Sequence, residues 1–385
     1  MKGIEALELG ALIEHARVLR ACMTARVGSE RVELFAKVSH RRRATRDATC
    51  DVSLHDVRES GLACRVFGRE GEPAGFASAS GVSTSEAEWV ADRARTFEGR
   101  ASGSTPEPSD LAGERWDLDP ADSLPTGDSL IALVRERKAV EWIELGTTVE
   151  ILIGSQGWMA CRRRNRAWLL GSNGRGEIRA RRGFEDLAEQ DEDAISSIPP
   201  GGIVPTSLVL APSASGALVS ALVSAFHRSN EQCGAGLDVD DVPAHEEGLA
   251  GGAFDDAGFP TSPRPITADG YWVPFEPGPG NVWRGSFRAP PTPGTSNLVV
   301  SPGKPASHGD CLRISKCRVV PLGRDVWVLD LETGQGGPRF AARVDPRAVS
   351  LAPIATLGPA VPTATGPIGP HLVVDGGLLG LREIV

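Results

Sequence analysis

Apolar residues recur at three- and four-residue spacing over residues 4–25, at Leu7, Ala11, Leu12, Ala16, Leu19 and Cys22, which describes one face of a helix. The period then changes. Over residues 31–40, 52–54 and 62–67 apolar and polar positions alternate, as they do in strands. Gly68, Gly71, Pro73 and Gly75 supply turns, and Ser83-Thr84-Ser85-Glu86 is a capping-box start for a helix reaching about Phe97. Residues 99–127 shift to Ser, Pro, Gly and Asp, the composition of a surface linker. A helix is expected over 128–144, followed by a strand meander over 147–153, 158–164, 167–170 and 177–182, with Asn173-Gly174 as a hairpin turn.

Pro199-Pro200-Gly201-Gly202 is the strongest punctuation in the chain and places a domain boundary there, giving units 1–198 and 199–385. Beyond it, residues 207–210 read as a short apolar strand and 213–227 as the most periodic helix of the sequence. Ala214, Ala217, Leu218, Ala221, Leu222, Ala225 and Phe226 lie on one stripe, and only Val219, Val223 and serines lie opposite. A helix that is apolar or small nearly all round is expected to be buried. The remainder is rich in Pro and Gly, with short strands at 313–320, 326–331 and 339–344, and shows no repeat of fixed period. The pattern describes an α+β protein: N-terminal helices with an antiparallel sheet, then a strand-rich unit around a buried helix.

Composition narrows the function classes. The 385 residues are 41% hydrophobic and 24% charged, an ordinary globular balance, and 45 Gly with 29 Pro favour many turns between strands. A net charge of -9 opposes a polyanion-binding role, so no nucleic-acid partner is expected. Arg41-Arg42-Arg43 and Arg162-Arg163-Arg164 with Arg166 are read as solvated strand faces, with a local basic patch as the alternative. The seven cysteines form no C-x-x-C pair, which suits reduced thiols. Residues 194–227 carry no Asp, Glu, Lys or Arg, yet Pro199, Pro200, Pro205, Pro212 and the serines there exclude a membrane span. Glu5, Glu8, Glu14 and His15 interrupt any signal-peptide core, and a cytoplasmic location is expected.

Common catalytic motifs are absent: there is no G-x-S-x-G, no G-x-x-x-x-G-K-[ST] and no H-E-x-x-H. The glycine-rich run 171–176 has the wrong spacing for a dinucleotide loop and reads as a hairpin. His245-Glu246-Glu247 near Asp240 and Asp241 offers imidazole and carboxylate ligands but lacks a second His one turn on, so a solvated loop is the plainer reading. His308, Asp310, Cys311 and Cys317 match no standard zinc spacing, and Cys311 and Cys317, sharing strand parity, read as small buried hydrophobes.

Glu59-Ser60-Gly61-Leu62-Ala63-Cys64-Arg65-Val66-Phe67, then Gly75-Phe76-Ala77-Ser78 and a capped helix, resembles the N-terminal hairpin of the TldD/PmbA family. Leu210-Ala211-Pro212 with Gly216, Gly248-Leu249-Ala250, Phe254-Asp255-Asp256-Ala257-Gly258, Pro293-Gly294-Thr295-Ser296-Asn297-Leu298 and Pro302-Gly303 are similar to its later segments, in order, over nearly the whole chain. The resemblance implies the two-domain TldD/PmbA-like fold. Metal-bearing members are zinc peptidases whose buried helix carries H-E-x-x-x-H; the matching positions here are Ser220, Ala221 and Ala225, which supply neither ligands nor a base. A C-terminal segment that holds Cys in catalytic members has no Cys or His over 357–369.

The resemblance therefore points to the PmbA/TldE-like, motif-lacking branch. It implies a non-catalytic subunit with no metal of its own, paired as a heterodimer with a TldD-like subunit that holds zinc and acts on peptides. Two alternatives stay open. One is a self-sufficient peptidase with ligands relocated to His245, Glu246, Glu247, His308 or Cys311, and the other is a non-enzymatic adaptor or regulator, including a gyrase-related role. Tyr271, Trp272, Trp283 and Asn297 are the candidates for cavity lining or interface, against a loop packed on its own domain.

Overall fold

Two long strands organise the first layer: β1 (Arg31–Arg46) and β2 (Val52–Phe67) pair antiparallel along their whole length. The computed structural model describes residues 9–27, 31–68, 73–96, 111–119, 126–137, 140–171, 178–180, 207–248, 250–276, 278–302, 311–333, 339–362, 367–375 and 382–384. With β3 (Pro73–Ser80), β4 (Glu114–Leu118), β5 (Val140–Gly154), β6 (Met159–Gly171) and β7 (Ile178–Ala180), these strands make a sheet in the order β3-β2-β1-β5-β6-β4, with β7 beside β6. Its pairings are antiparallel except β4 on β6.

One face of this sheet is covered by helices. Leu34, Ala36, Leu62, Cys64, Ile151 and Ile153 pack under α1 (Leu9–Val27) and α2 (Thr84–Thr96), which contribute Ala16, Leu19, Ala87, Val90, Ala91 and Ala94. Further along the same strands, Ala44, Ile143, Leu145, Ala167 and Leu169 pack on Leu130 and Val134 of α3 (Gly127–Glu136). The capping box forms as its sequence requires: the Ser83 N–H donates to Glu86 at 2.7 Å and the Glu86 N–H to Ser83 Oγ at 3.3 Å.

The later residues build two further sheets around one helix. β8 (Ser207–Leu210), β9 (Val239–Asp241) and β10 (Arg264–Pro265) precede two small hairpins, β11 (Thr267–Ala268) with β12 (Tyr271–Trp272) and β13 (Val282–Trp283) with β14 (Thr292–Pro293). Then follow β15 (Leu298–Val300), β16 (Cys311–Ile314), β17 (Lys316–Pro321), β18 (Trp327–Glu332), β19 (Arg339–Val344), β20 (Ala355–Pro362), β21 (Ile368–Asp375) and β22 (Arg382–Ile384). One sheet runs β10-β9-β15-β21-β8-β16, with β20 on β21, and the other β17-β18-β19-β22. The helix α4 (Pro212–Phe226) packs against β17 and β21, and its Leu218, Leu222 and Phe226 share a core with Leu210, Leu329, Leu331 and Leu372. A short α5 (Pro346–Leu351) closes that core through Val349. The protein is thus α+β and strand-rich. No helix among the described residues is long and apolar enough to cross a membrane.

Several expectations are corrected. The helix over 128–144 stops at Glu136, and Val140 already opens β5, because Ile143 and Leu145 are satisfied by alternation against β1 and β6 rather than by a helical stripe. The two strands expected at 158–164 and 167–170 are one, β6, so its arginines sit mid-strand. The strand expected at 313–320 is two strands in different sheets, divided at Ser315, so Cys311 and Cys317 do not share a face. The boundary Pro199-Pro200-Gly201-Gly202 and the Asn173-Gly174 turn lie outside the described residues.

The glycine of Gly75-Phe76-Ala77-Ser78 is a close-approach site: a Cβ there would lie 2.0 Å from the Ala94 carbonyl oxygen of α2. Gly75→Ala is therefore expected to lower stability by about 1–3 kcal/mol. Gly285→Ala, where a Cβ meets nothing within 4 Å, should stay within about 0.5 kcal/mol of wild type. Denaturant unfolding of the two variants checks this.

Candidate functional site

The helix α4 is fixed at its start by Ser215, whose hydroxyl donates to the Leu210 carbonyl at 3.0 Å and accepts from the Leu372 N–H at 3.2 Å, tying the helix to β8 and β21. At its end Phe226 stacks on Trp272 with ring centroids 5.6 Å apart, and Trp272 Nε1 donates to Ser350 Oγ at 2.7 Å. Burial is one-sided. Ser224 and Ala225 are exposed and Ser220 and Ala221 half-buried, which corrects the expectation of a helix buried nearly all round.

The exposed strip has no metal-site chemistry. Ala221 and Ala225 carry no donor atom, and the Ser220 carbonyl accepts the Ser224 hydroxyl at 2.8 Å, turning that side chain onto its own helix. His227, just past the helix, spends its Nδ1 on the Val223 carbonyl at 2.8 Å. Zinc held by a buried helix does not fit these residues. Among the described residues no group of three or more His, Cys, Asp or Glu is arranged to hold a metal.

The other sequence candidates are dispersed. His245 lies in a turn where its Nδ1 accepts the Glu247 N–H at 3.2 Å, and Glu246 and Glu247 are exposed. Asp241 is fully buried, pairs with Arg264 at 3.1 Å and accepts from Ser296 N and Oγ at 3.0 and 2.7 Å. Cys311 is half-buried on β16, whereas His308 and Asp310 lie outside the described residues. Burial pushes the Cys64, Cys161 and Cys317 thiols up to about 12, so none of them is a thiolate nucleophile near neutral pH. Tyr271 is exposed and its hydroxyl accepts from Gln232 Nε2 at 3.2 Å, whereas Trp272 is wholly buried. Asn297 is a clip: its Oδ1 accepts the Ala250 N–H at 2.9 Å and its Nδ2 donates to the Pro243 carbonyl at 2.9 Å.

The densest cluster of charged side chains was not expected from the sequence. Arg162, Arg163 and Arg164 are each only 5% exposed, overturning their assignment to a solvated face. Arg163 turns to the helix-covered side, where its Nε donates to the Asp119 carbonyl at 2.9 Å. Arg162 and Arg164 turn to the opposite side, which packs on residues 250–294. There Arg162 joins Glu150 at 2.5 Å to Asp256, and Arg164 pairs with Asp117, whose Oδ2 also accepts the Ala253 N–H at 2.7 Å. Glu33 holds both Arg65 and, at 2.5 Å, Arg284, whose own N–H donates to Asp256 at 2.6 Å. Phe35, Ala63, Leu152, Trp158 and Ala160 of the first layer meet Phe254 and Phe287 around these charges. A Cβ at Gly61 would fall 2.2 Å from the Phe287 ring. Trp283 lies half-buried at the same seam, its ring 5.9 Å from the Arg162 guanidinium.

Burial and partners oppose each other in this seam. Burial pushes the Glu150 carboxyl up, but Arg162 and Lys37 outweigh it and hold the group well below the ordinary range. Burial lowers Arg284 to about 10 despite Glu33. Asp255 accepts the N–H groups of Ala257, Phe259, Gly280 and Val282 at 2.9, 3.0, 2.8 and 3.3 Å, yet burial raises its carboxyl to about 7. The sequence did hold a signal for these pairs. Glu33 lies opposite Arg65, and Lys37, Glu150 and Arg162 lie in one row across β1, β5 and β6, but only once register is known.

No family profile and no curated protein matches this chain. Solved structures do. A candidate modulator of a DNA gyrase from Thermotoga maritima aligns with TM-score 0.68 at 14% identity, covering 97% of this chain and all of that one. TldE from Thermococcus kodakarensis aligns with TM-score 0.62 at 14% identity, over 96% of this chain and 100% of that one. This is the TldD/PmbA-type fold. A second candidate gyrase modulator, from Bacteroides thetaiotaomicron, shares it with TM-score 0.61 at 13% identity, over 96% of this chain and 98% of that one. Within the TldD/PmbA-type fold, the motif residues Gly61, Arg65, Gly75, Asp255, Asp256 and Asn297 all serve packing, the seam or a loop clip.

Asp256→Asn is expected to destabilise by about 1–3 kcal/mol, because an amide can accept from only one of Arg162 and the Arg284 N–H and turns its NH2 on the other, while Glu150 still holds Arg162; denaturant unfolding reads the loss. Asp255 predicts a pH slope. Its folded value near 7 lies above the ordinary unfolded aspartate value of about 3.9, so its contribution is complete below about pH 4 and is lost as pH rises through about 7. Asp255→Asn, although less stable throughout, should show a flatter dependence than wild type between about pH 5 and 8.

Proposed function

We propose that this chain is the non-catalytic subunit of a heterodimeric, TldD/TldE-like zinc metallopeptidase, in which a partner carries H-E-x-x-x-H and the metal while this chain lines the peptide-handling cavity. The observation that carries the reading is the exposed strip of α4. By the sequence resemblance Ser220, Ala221 and Ala225 match the family's ligand-helix positions, and two of the three have no donor atom at all. The likeness in fold to TldE supports it. In this reading the chain supplies surfaces rather than a reacting group, its substrate is a peptide or unfolded segment, its setting is cytoplasmic, and its two units divide near residue 198.

A second reading, a non-enzymatic regulator, is favoured by one observation: two structures with this fold belong to candidate modulators of DNA gyrase. The acidic net charge of -9 directs such a role through protein contacts rather than DNA. Relocated catalytic ligands have less support, since the described candidate His245 is engaged within its own turn by the Glu247 N–H.

Metal analysis and peptidase assays on the chain alone, and on the chain co-expressed with a TldD-like protein from the same genome, separate the readings. Zinc and cleavage are expected in the co-purified pair and absent from the lone chain. Stoichiometric zinc with cleavage in the lone chain would overturn the subunit reading, and a stable partner without a metallopeptidase motif would favour the regulator.

A further inference from the structure

β2 has two different edges along its length. Residues 61–67 are covered by β3, but β3 ends opposite Gly61, and the last bond on that side runs from the Gly81 N–H to the Ser60 carbonyl at 3.0 Å. Among the described residues, 53–59 therefore pair with β1 on one side and with no strand on the other. All seven are exposed, including Leu54 at 38% and Val57 at 46%.

The hydrogen-bonding parity of this edge follows from the Gly81 bond. Ser60 points its backbone groups away from β1, so Leu54, Asp56 and Arg58 do the same, and their N–H and C=O groups form an open ladder in line with β3. Natural edges are usually blunted by proline, a bulge, lysine or a covering element. Residues 53–59 contain no proline or lysine, and their pairing with β1 has no irregularity.

A second copy of this chain is a poor occupant. Because β3 fills the lane beyond Gly61, the start of one β2 at Val52 can reach no further than Ser60 of the other copy. The longest antiparallel register within that limit sets Asp56 against Asp56. Like charges directly opposite are destabilising.

We propose that residues 53–59 of β2 form a docking edge for an extended segment of a different polypeptide, added antiparallel to β2 in line with β3. The chemistry of the edge specifies that segment. Arg58 and Glu59 are exposed and make no ion pair with any described residue, so they call for an acidic and a basic residue opposite, next to an apolar residue opposite Val57. Asp56 is already engaged by His40 at 2.5 Å and Arg42 at 3.1 Å and asks only for a neutral neighbour. A second apolar residue sits opposite Leu54. Main-chain bonds supply affinity and the alternate side chains supply selectivity. The proposal goes beyond the peptidase reading and requires neither zinc nor a catalytic subunit.

The probe is a C-terminally labelled peptide, Lys-Asp-Val-Thr-Thr-Val-Thr, whose lysine faces Glu59 in the antiparallel register. Fluorescence anisotropy should show saturable binding to the full chain, and hydrogen exchange should slow at the amides of Leu54, Asp56 and Arg58. Arg58→Pro removes an outward N–H without touching the ladder to β1 and should weaken binding about tenfold. Arg58→Glu should weaken it about threefold, and a peptide with lysine in place of aspartate should restore it on that variant, which a mere folding defect would not do. No binding up to roughly 1 mM with unchanged exchange would overturn the proposal. So would concentration-dependent self-association that Arg58→Pro abolishes, since it would assign the edge to a second copy.

Discussion

The structure depends on one buried guanidinium. Arg162, mid-strand in β6, is held by Glu150 from the same sheet and by Asp256 from the later half of the chain. An isolated charge in such a place would cost several kcal/mol of desolvation, so neither half can present its share of this cluster to an apolar surface. The two halves satisfy each other. Glu33, shared between Arg65 and Arg284, repeats the arrangement one strand over, and the aromatic pair Phe254 and Phe287 seals the charges from water.

Such a seam is not in itself a source of large net stability. Buried ion pairs can often be replaced as a set by apolar residues at little net cost, whereas losing one partner is expensive. The arrangement therefore penalises every docking in which Arg162 misses Asp256 or Arg284 misses Glu33. It also accounts for the glycine at position 61, where the Phe287 ring lies against the backbone and leaves no room for a side chain. The residues that carry the family resemblance are in this sense architectural. They hold a frame in which α4 is anchored through Ser215 and Trp272 but carries no imidazole, thiolate or carboxylate along its open strip.

Much of this frame was legible in the chain. The helical stripe of α4, the alternation of β1 and β2, and the capping box of α2 are local patterns whose period names the element. Legibility failed where one pattern served two periods. Leu130 and Val134 are helical neighbours, and Ile143 and Leu145 continue a plausible stripe, yet the latter two belong to a strand whose partners lie more than a dozen residues away. The arginine run of β6 failed for a related reason. Consecutive charges in a strand point to opposite faces, so Arg163 and its neighbours Arg162 and Arg164 never formed one cluster.

By itself the sequence determined most of the element types, the want of imidazole, thiolate or carboxylate at Ser220, Ala221 and Ala225, and the order of motifs that marks the fold. Those are properties of residue identity and short spacing. Only the tertiary structure decided that Arg162, Glu150 and Asp256 meet, that Trp272 and Asn297 are internal, and that residues 53–59 remain an edge unpaired among the described residues. Each of these depends on strand register and on which lane of a sheet is filled. Register is set by long-range pairing and the burial of a whole face, information that no local stretch of the chain contains.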